Sequence, residues 1–339
     1  MKPMQLVGTL ALLAAAAAPA AAQSYHVTHT YTLGGDGGWD YLALDTAGHR
    51  LFIGRQDRVM VVDPAAGTVL GEIHGLDRAH GVAFDYAAGH GFATSGADST
   101  VTMFDLKTLR VLRHTVAAPD DDGILFDPAT GRIFTMNGDA GTATAIDGRT
   151  GERIGSVDLG GKPEFGVSAG DGTLYVNLED KSEVAEVDAR ALKVTRHWSI
   201  APCQGPSGLA IDRAHHRLFS GCRSGVMGVS DARAGRLVTT VPIGQGVDAC
   251  RFDAGTQLAF ASNGDGTLTV IREVSPDSFA VVSNAQTKRG ARTMELDERT
   301  HVVYTVTADF GPAPAPTPQR PRPRPSILPG TFALLVLEP

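Results

Sequence analysis

The chain is poor in aromatic residues, in cysteine and in positive charge. Aromatics are 6% of its 339 residues, and cysteine occurs only at 203, 222 and 250. No Cys-x-x-Cys pair is present, and so no Cys-x-x-Cys-His for c-type haem attachment. No Gly-x-Ser-x-Gly elbow, Walker loop or Gly-x-Gly-x-x-Gly follows a strand, so nothing points to phosphate or dinucleotide chemistry. Lys and Arg number 30 against 37 Asp and Glu, a formal charge of -7. Such a balance disfavours general nucleic-acid binding, because phosphate contacts need clustered Lys and Arg. Beyond residue 22 no apolar run approaches the ~18 residues of a membrane span.

The first 22 residues read as a targeting segment. Lys2 precedes an apolar run over 6–19, and Ala20-Ala21-Ala22 fits a small-residue cleavage site. The expectation is a signal peptide over 1–22, a mature chain from Gln23, and a periplasmic or secreted location. Disulfides are permitted there.

What the chain has in excess is glycine, 40 residues, and a repeat that uses it. A short apolar strand ending in Asp recurs at Asp45, Asp85, Asp127, Asp212, Asp253 and Asp297, with a degenerate copy ending at Ala169. The steps are 40, 42, 42, 43, 41 and 44 residues. Each marker leads into a second strand (RLFIG, RIFTMNG, RLFSGC), a Gly/Asp/Asn turn, a third strand and a more polar fourth. Four strands in ~42 residues leave no room for a crossover helix and match one β-propeller blade. A sandwich has no such period, and a β-helix has a shorter one. The expected fold is all-β: a single propeller domain over 23–339, with seven four-stranded blades. Residues 25–33 look like a fourth-type strand with no blade before them, and 331–339 supply a third strand with none after. Together they would close the ring in the last blade and remove two open edges. That blade carries a Pro-rich insertion at about 311–330, including Arg320, Arg322 and Arg324. Proline favours stiff, extended chain, so this is a loop that projects from one face.

LYVN at 174–177, RIFTMNG at 132–138 and LAFASNG at 258–264 resemble the second strands of the YVTN-repeat, YncE-like propellers, a family of exported bacterial proteins with WD40-like blades. The resemblance spans 25–339. It implies the propeller fold and export; it implies no particular activity, because propellers host many unrelated functions.

In such a fold the marker strand is innermost, and the residue five before each marker lies at one channel mouth. These residues are Asp40, His80, Asp122, Glu164, Ser207, Asp248 and Arg292, with Trp39, Asp36, Arg78, Asp120, Asp121, Lys162, Phe165 and Arg289 nearby. The expected ligand-binding set is Trp39, Asp40, His80, Asp122, Glu164, Phe165, Asp248, Arg289 and Arg292. Crowded carboxylates around one His can hold a hard divalent cation or raise one another's pKa for acid–base work. Asp40, His80, Glu164 and Asp248 are therefore the candidate metal-binding or catalytic residues. Channel carboxylates neutralised by Arg are the competing expectation. The leading reading is a monomeric binding scaffold that docks a protein or small molecule on this face. The alternatives are a metal-assisted hydrolase or lyase and, less favoured, a nucleic-acid binder through Arg78, Lys162, Arg289 and Arg292.

His49, His90, His301 and the pair His215-His216 fall in turns on the opposite face, where exposed histidines usually bind nothing functional. The marker aspartates sit at hairpin turns and read as caps of their own backbone. Cys203 and Cys222 lie on adjacent strands and are the candidate disulfide, with three free thiols as the alternative. Cys250 reads as a small buried residue.

Overall fold

The computed structural model describes residues 24–317 and 323–339. The proposed signal peptide, Arg320 and Arg322 lie outside the described residues. The chain is an all-β propeller with four-stranded blades. Five sheets have four strands each: Asp121–Asp127 to Arg153–Asp158, Pro163–Ser168 to Lys193–Ser199, Pro206–Asp212 to Arg236–Pro242, Val247–Asp253 to Ser278–Gln286, and a sheet that joins His26–Thr32 to Ala333–Glu338, Val302–Thr307 and Met294–Asp297. A sixth sheet has six strands and spans Leu42–Asp45 to Val111–Val116.

The expectation of seven separate blades is therefore corrected to six sheets among the described residues. Ala79 is the reason. It pairs with Gln56 of one repeat and with Ser95 of the next. The hydrogen-bond ladder runs through it, so the strands Arg50–Asp63 and Thr68–Asp85 each carry parts of two units.

The marker strands lie side by side in chain order, and the first, Leu42–Asp45, also contacts the last, Met294–Asp297. They approach so closely that a Cβ on Gly208 would sit 2.5 Å from the backbone nitrogen of Cys250. Their terminal aspartates are buried and cap their own turns: Asp45 Oδ1 accepts from Gly48 N at 2.9 Å, and Asp253 Oδ1 from Gly255 N at 2.9 Å. The strand His26–Thr32 pairs antiparallel with Ala333–Glu338, from His26 opposite Glu338 to Thr32 opposite Ala333.

The few aromatics are placed with the repeat. Phe52, Phe92, Phe134, Tyr175, Phe219, Phe260 and Tyr304 occupy the same site in the second strand of each unit, and all are buried. Burying one such ring contributes roughly 1.5–3 kcal/mol. One aromatic per unit thus anchors each blade among Val, Leu, Ile and Ala.

Cys203 and Cys222 are joined by a disulfide, with Cα atoms 5.5 Å apart, and Cys250 is free and buried. The insertion leaves the strand Val302–Thr307 and returns to Ala333–Glu338. Its base is tied by the Phe310–Ile327 bridge and by Gly311 N donating to Ser326 O at 2.9 Å. No helix of the described residues is long and apolar enough to cross a membrane.

Candidate binding site at the channel mouth

The residues five before each marker lie at or near the start of the innermost strands or of their marker segments, where the chain meets the channel. Asp40, His80, Asp122, Glu164, Asp248 and Arg292 line one cavity of about 470 Å³, together with Trp39, Tyr41, Gln56, Arg78, Arg223 and Arg324. Ser207 is buried beneath, and its hydroxyl reaches Asp248 Oδ1 at 3.1 Å and Glu164 Oε1 at 3.3 Å.

Two kinds of carboxylate share this space. Asp248 is paired: Arg292 Nε lies 3.0 Å from its Oδ2. Glu164 is half-paired, with Arg223 Nη2 at 3.7 Å from Oε1, while the same guanidinium sits 2.9 Å from Glu179 Oε2. Asp40 and Asp122 instead converge on His80. Arg78 Nε donates to His80 Nε2 at 3.0 Å, so that nitrogen carries no proton. The ring's proton is on Nδ1 and goes to Asp40. Asp122 Oδ1 is 3.1 Å from the same Nδ1, but the single proton is already used. Asp122 Oδ1 is buried and accepts no hydrogen bond. The ligand atoms of Asp40, His80 and Asp122 all lie within 4.8 Å of one another.

The electrostatics follow from burial and crowding. Burial pushes the Asp122 carboxyl well above its ordinary range, and the charges of Asp40, Glu164 and Asp248 push it further. Burial and the neighbouring Glu179 and Asp248 charges raise Glu164 to about 7. Burial raises Asp248 too, with the Arg292 charge opposing. Asp121, just below, is raised to about 8 by burial; Ser95 N donates to its Oδ1 at 3.2 Å.

Two residues expected at the mouth are elsewhere. Phe165 turns into the channel, 5.2 Å from Tyr41 and under the Arg251 guanidinium at 5.4 Å. It lines a second cavity, of about 550 Å³, that opens at the other end. Its side chain alternates away from that of Glu164, as neighbours on a strand must. Arg289 lines an adjoining pocket of about 250 Å³ beneath the insertion, with Phe310, Pro325 and Ile327, which shares Trp39, Arg292 and Arg324 with the mouth cavity. Trp39 belongs to both spaces and packs against Phe332 at 5.4 Å.

Tyr41, Arg223 and Glu179 are site residues that sequence reasoning missed. The channel's Arg251 and Glu295 were also missed, although both are charged at a marker-strand position that is apolar in other repeats. Arg251 Nε lies 2.7 Å from Glu295 Oε1, and Nη2 lies 3.0 Å from Oε2. Three of the four cations named for nucleic acid are engaged: Arg78 with Asp120, Lys162 with Glu179 at 3.3 Å, and Arg292 with Asp248. A phosphate entering here would face the carboxylates.

No family model matches the chain. It is 28% identical over 148 residues to the uncharacterized protein YncE of Salmonella typhimurium and 27% identical over 148 residues to that of Salmonella typhi. Each alignment covers 42% of this chain, so the chain spans under half the length of the curated relatives it matches, also 42%. These matches support a YncE-like propeller. The solved structure of U3-55K superposes with a TM-score of 0.73 at 8% identity, covering 92% of this chain and 98% of that one, a likeness of fold alone.

Proposed function

We propose that the protein is an exported propeller scaffold whose mouth pocket binds a ligand that brings positive charge, either a divalent cation or an organic amine. The observation that carries this is Asp122 Oδ1, which is buried, accepts no hydrogen bond and converges with Asp40 on the same His80 Nδ1. Burying an unpaired charge is expensive unless a cation or proton meets it. A cation at this point would relieve Asp40 and Asp122 together, and the cavity of about 470 Å³ leaves room for a small ligand or a protein side chain attached to it. The insertion, with Arg324 on the rim, frames the docking face.

Calorimetric titration of the mature chain with Ca²⁺, Mg²⁺, Zn²⁺ and spermidine tests this reading. Expected is saturable binding of at least one probe, weakened at least tenfold in Asp122→Asn. Absence of heat with all four would overturn it.

One part of the proposal concerns the frame: the strand His26–Thr32 serves as the clasp of the ring. Deleting residues 25–33 should lower the melting temperature by more than 10 °C; an unchanged melt would refute the clasp. Export predicts a mature N-terminus at Gln23, readable by sequencing the protein recovered from its native host.

A second reading, a metal-assisted hydrolase or lyase, draws on Glu164. A carboxyl raised to about 7 beside a cation site is suited to general acid–base work. Turnover of an ester or phosphoester panel that is lost in Glu164→Gln would favour it over the scaffold.

A further inference from the structure

The marker aspartates cap turns, and most of them take one further partner. Asp45 takes Arg50, Asp127 takes the Ser168 hydroxyl, Asp253 takes His301, and Asp297 takes Arg299. Asp212 takes His215, and here a second carboxylate arrives. Glu273 comes from the next sheet, where the strand Thr267–Ser275 runs past the turn that ends its counterparts. His215 Nδ1 lies 2.6 Å from Asp212 Oδ2 and 3.0 Å from Glu273 Oε1.

One ring nitrogen cannot donate to two carboxylates at once. Its proton goes to Asp212, and both Glu273 oxygens are buried with no hydrogen-bond partner. The Glu273 side chain is 1% exposed, so water does not substitute. An orphaned carboxylate aimed at another carboxylate and an imidazole costs free energy unless a cation joins them.

We propose that Asp212, His215 and Glu273 form a Zn²⁺ site on the face opposite the mouth. Asp212 ends the strand that begins near Ser207, about 17 Å away along extended chain. The three ligand atoms lie within 4.8 Å of one another. A tetrahedral ion with ~2.0 Å bonds sets its donors about 3.3 Å apart, close to the spacings here. Two carboxylates neutralise the double charge. Asp212 Oδ1 is occupied by Ala214 N at 2.9 Å, which leaves Oδ2 for the metal. His215 would bind through Nδ1, and its proton would move to Nε2 on a ring that is 40% exposed. The same exposure leaves the fourth position open to water. An imidazole with two carboxylates selects a borderline ion over Ca²⁺.

The test is Zn²⁺ titration of the metal-stripped mature chain carrying Asp122→Asn, which separates this site from the mouth. Expected is one Zn²⁺ per chain and a raised melting temperature. Adding Glu273→Gln or His215→Ala should weaken binding at least tenfold and abolish the thermal shift, while the metal-free melts show that both variants fold. A His216→Ala control should bind as before. Absence of Zn²⁺ binding, binding unchanged in both Glu273→Gln and His215→Ala, or binding lost in His216→Ala would overturn the proposal. A failure at the mouth alone leaves these outcomes readable.

Discussion

The two ends of the central channel handle the same problem in opposite ways. At the far end, Arg251 and Glu295 neutralise each other through two hydrogen bonds, and Phe165 and Tyr41 pack beside them. At the mouth, four acidic residues crowd one cavity, Asp122 lacks a donor, and Glu164 is held near neutrality. A bidentate pair is geometrically satisfied and contributes rigidity. A crowded, under-satisfied set carries an energetic cost that a ligand could remove. The difference separates a structural use of charge from a binding use within one set of strands.

Breaking the satisfied end should have the largest effect. Glu295→Ala leaves the largely buried Arg251 guanidinium without its partner, and chemical denaturation should show a loss of about 3–5 kcal/mol. Replacing both, Arg251→Met with Glu295→Leu, should recover most of that loss. If the single variant costs nothing, the pair is not structural and the contrast fails.

At the mouth the sign reverses. The folded-state pKa of Glu164, about 7, exceeds its ordinary 4.5, so its contribution to stability is complete below 4.5 and is lost as pH rises through 7. Glu164→Gln should match the wild type at pH 4 and exceed it by about 3 kcal/mol above pH 8. Denaturant midpoints across this range would read the crossover; parallel curves would mean that the carboxyl is not held protonated.

The smallest effect should come from Arg78→Ala. Its ion pair with Asp120 is half exposed, so the cost should stay below about 1 kcal/mol. The same change frees His80 Nε2, and the ring's nitrogen NMR signals should shift to report an altered tautomer while the fold persists. A shift absent from those spectra would argue that Arg78 does not set the tautomer.

Much of this frame is legible in the sequence, because strand pairing has a short, regular period. The Asp markers locate the innermost strands, and counting back five residues finds the polar residues of one cavity. Side-chain direction is less legible. Phe165 and Glu164 are adjacent, and a shift of one position reverses the face. The Ala79 ladder was hidden because a residue that bridges two sheets carries no signature of its own. Arg223 and Glu179 come from turns, whose reach depends on how two blades lean together. Glu273 was hidden because its strand runs on to Ser275, past Arg272, the position at which the third strands of the other units end.

The pairing of His26–Thr32 with Ala333–Glu338 also governs the order of assembly. The strand His26–Thr32, which precedes every other described strand, must wait for Ala333–Glu338, which follows them all. Until then the sheet that will hold both has an open edge beside Val302–Thr307, and the earlier sheets have no neighbour on one flank. Pairings so distant in sequence form slowly, and they convert blade-by-blade gains into one late, cooperative step. A nascent chain halted short of residue 333 should therefore remain protease-sensitive far upstream of the halt, with protection arriving for all sheets together.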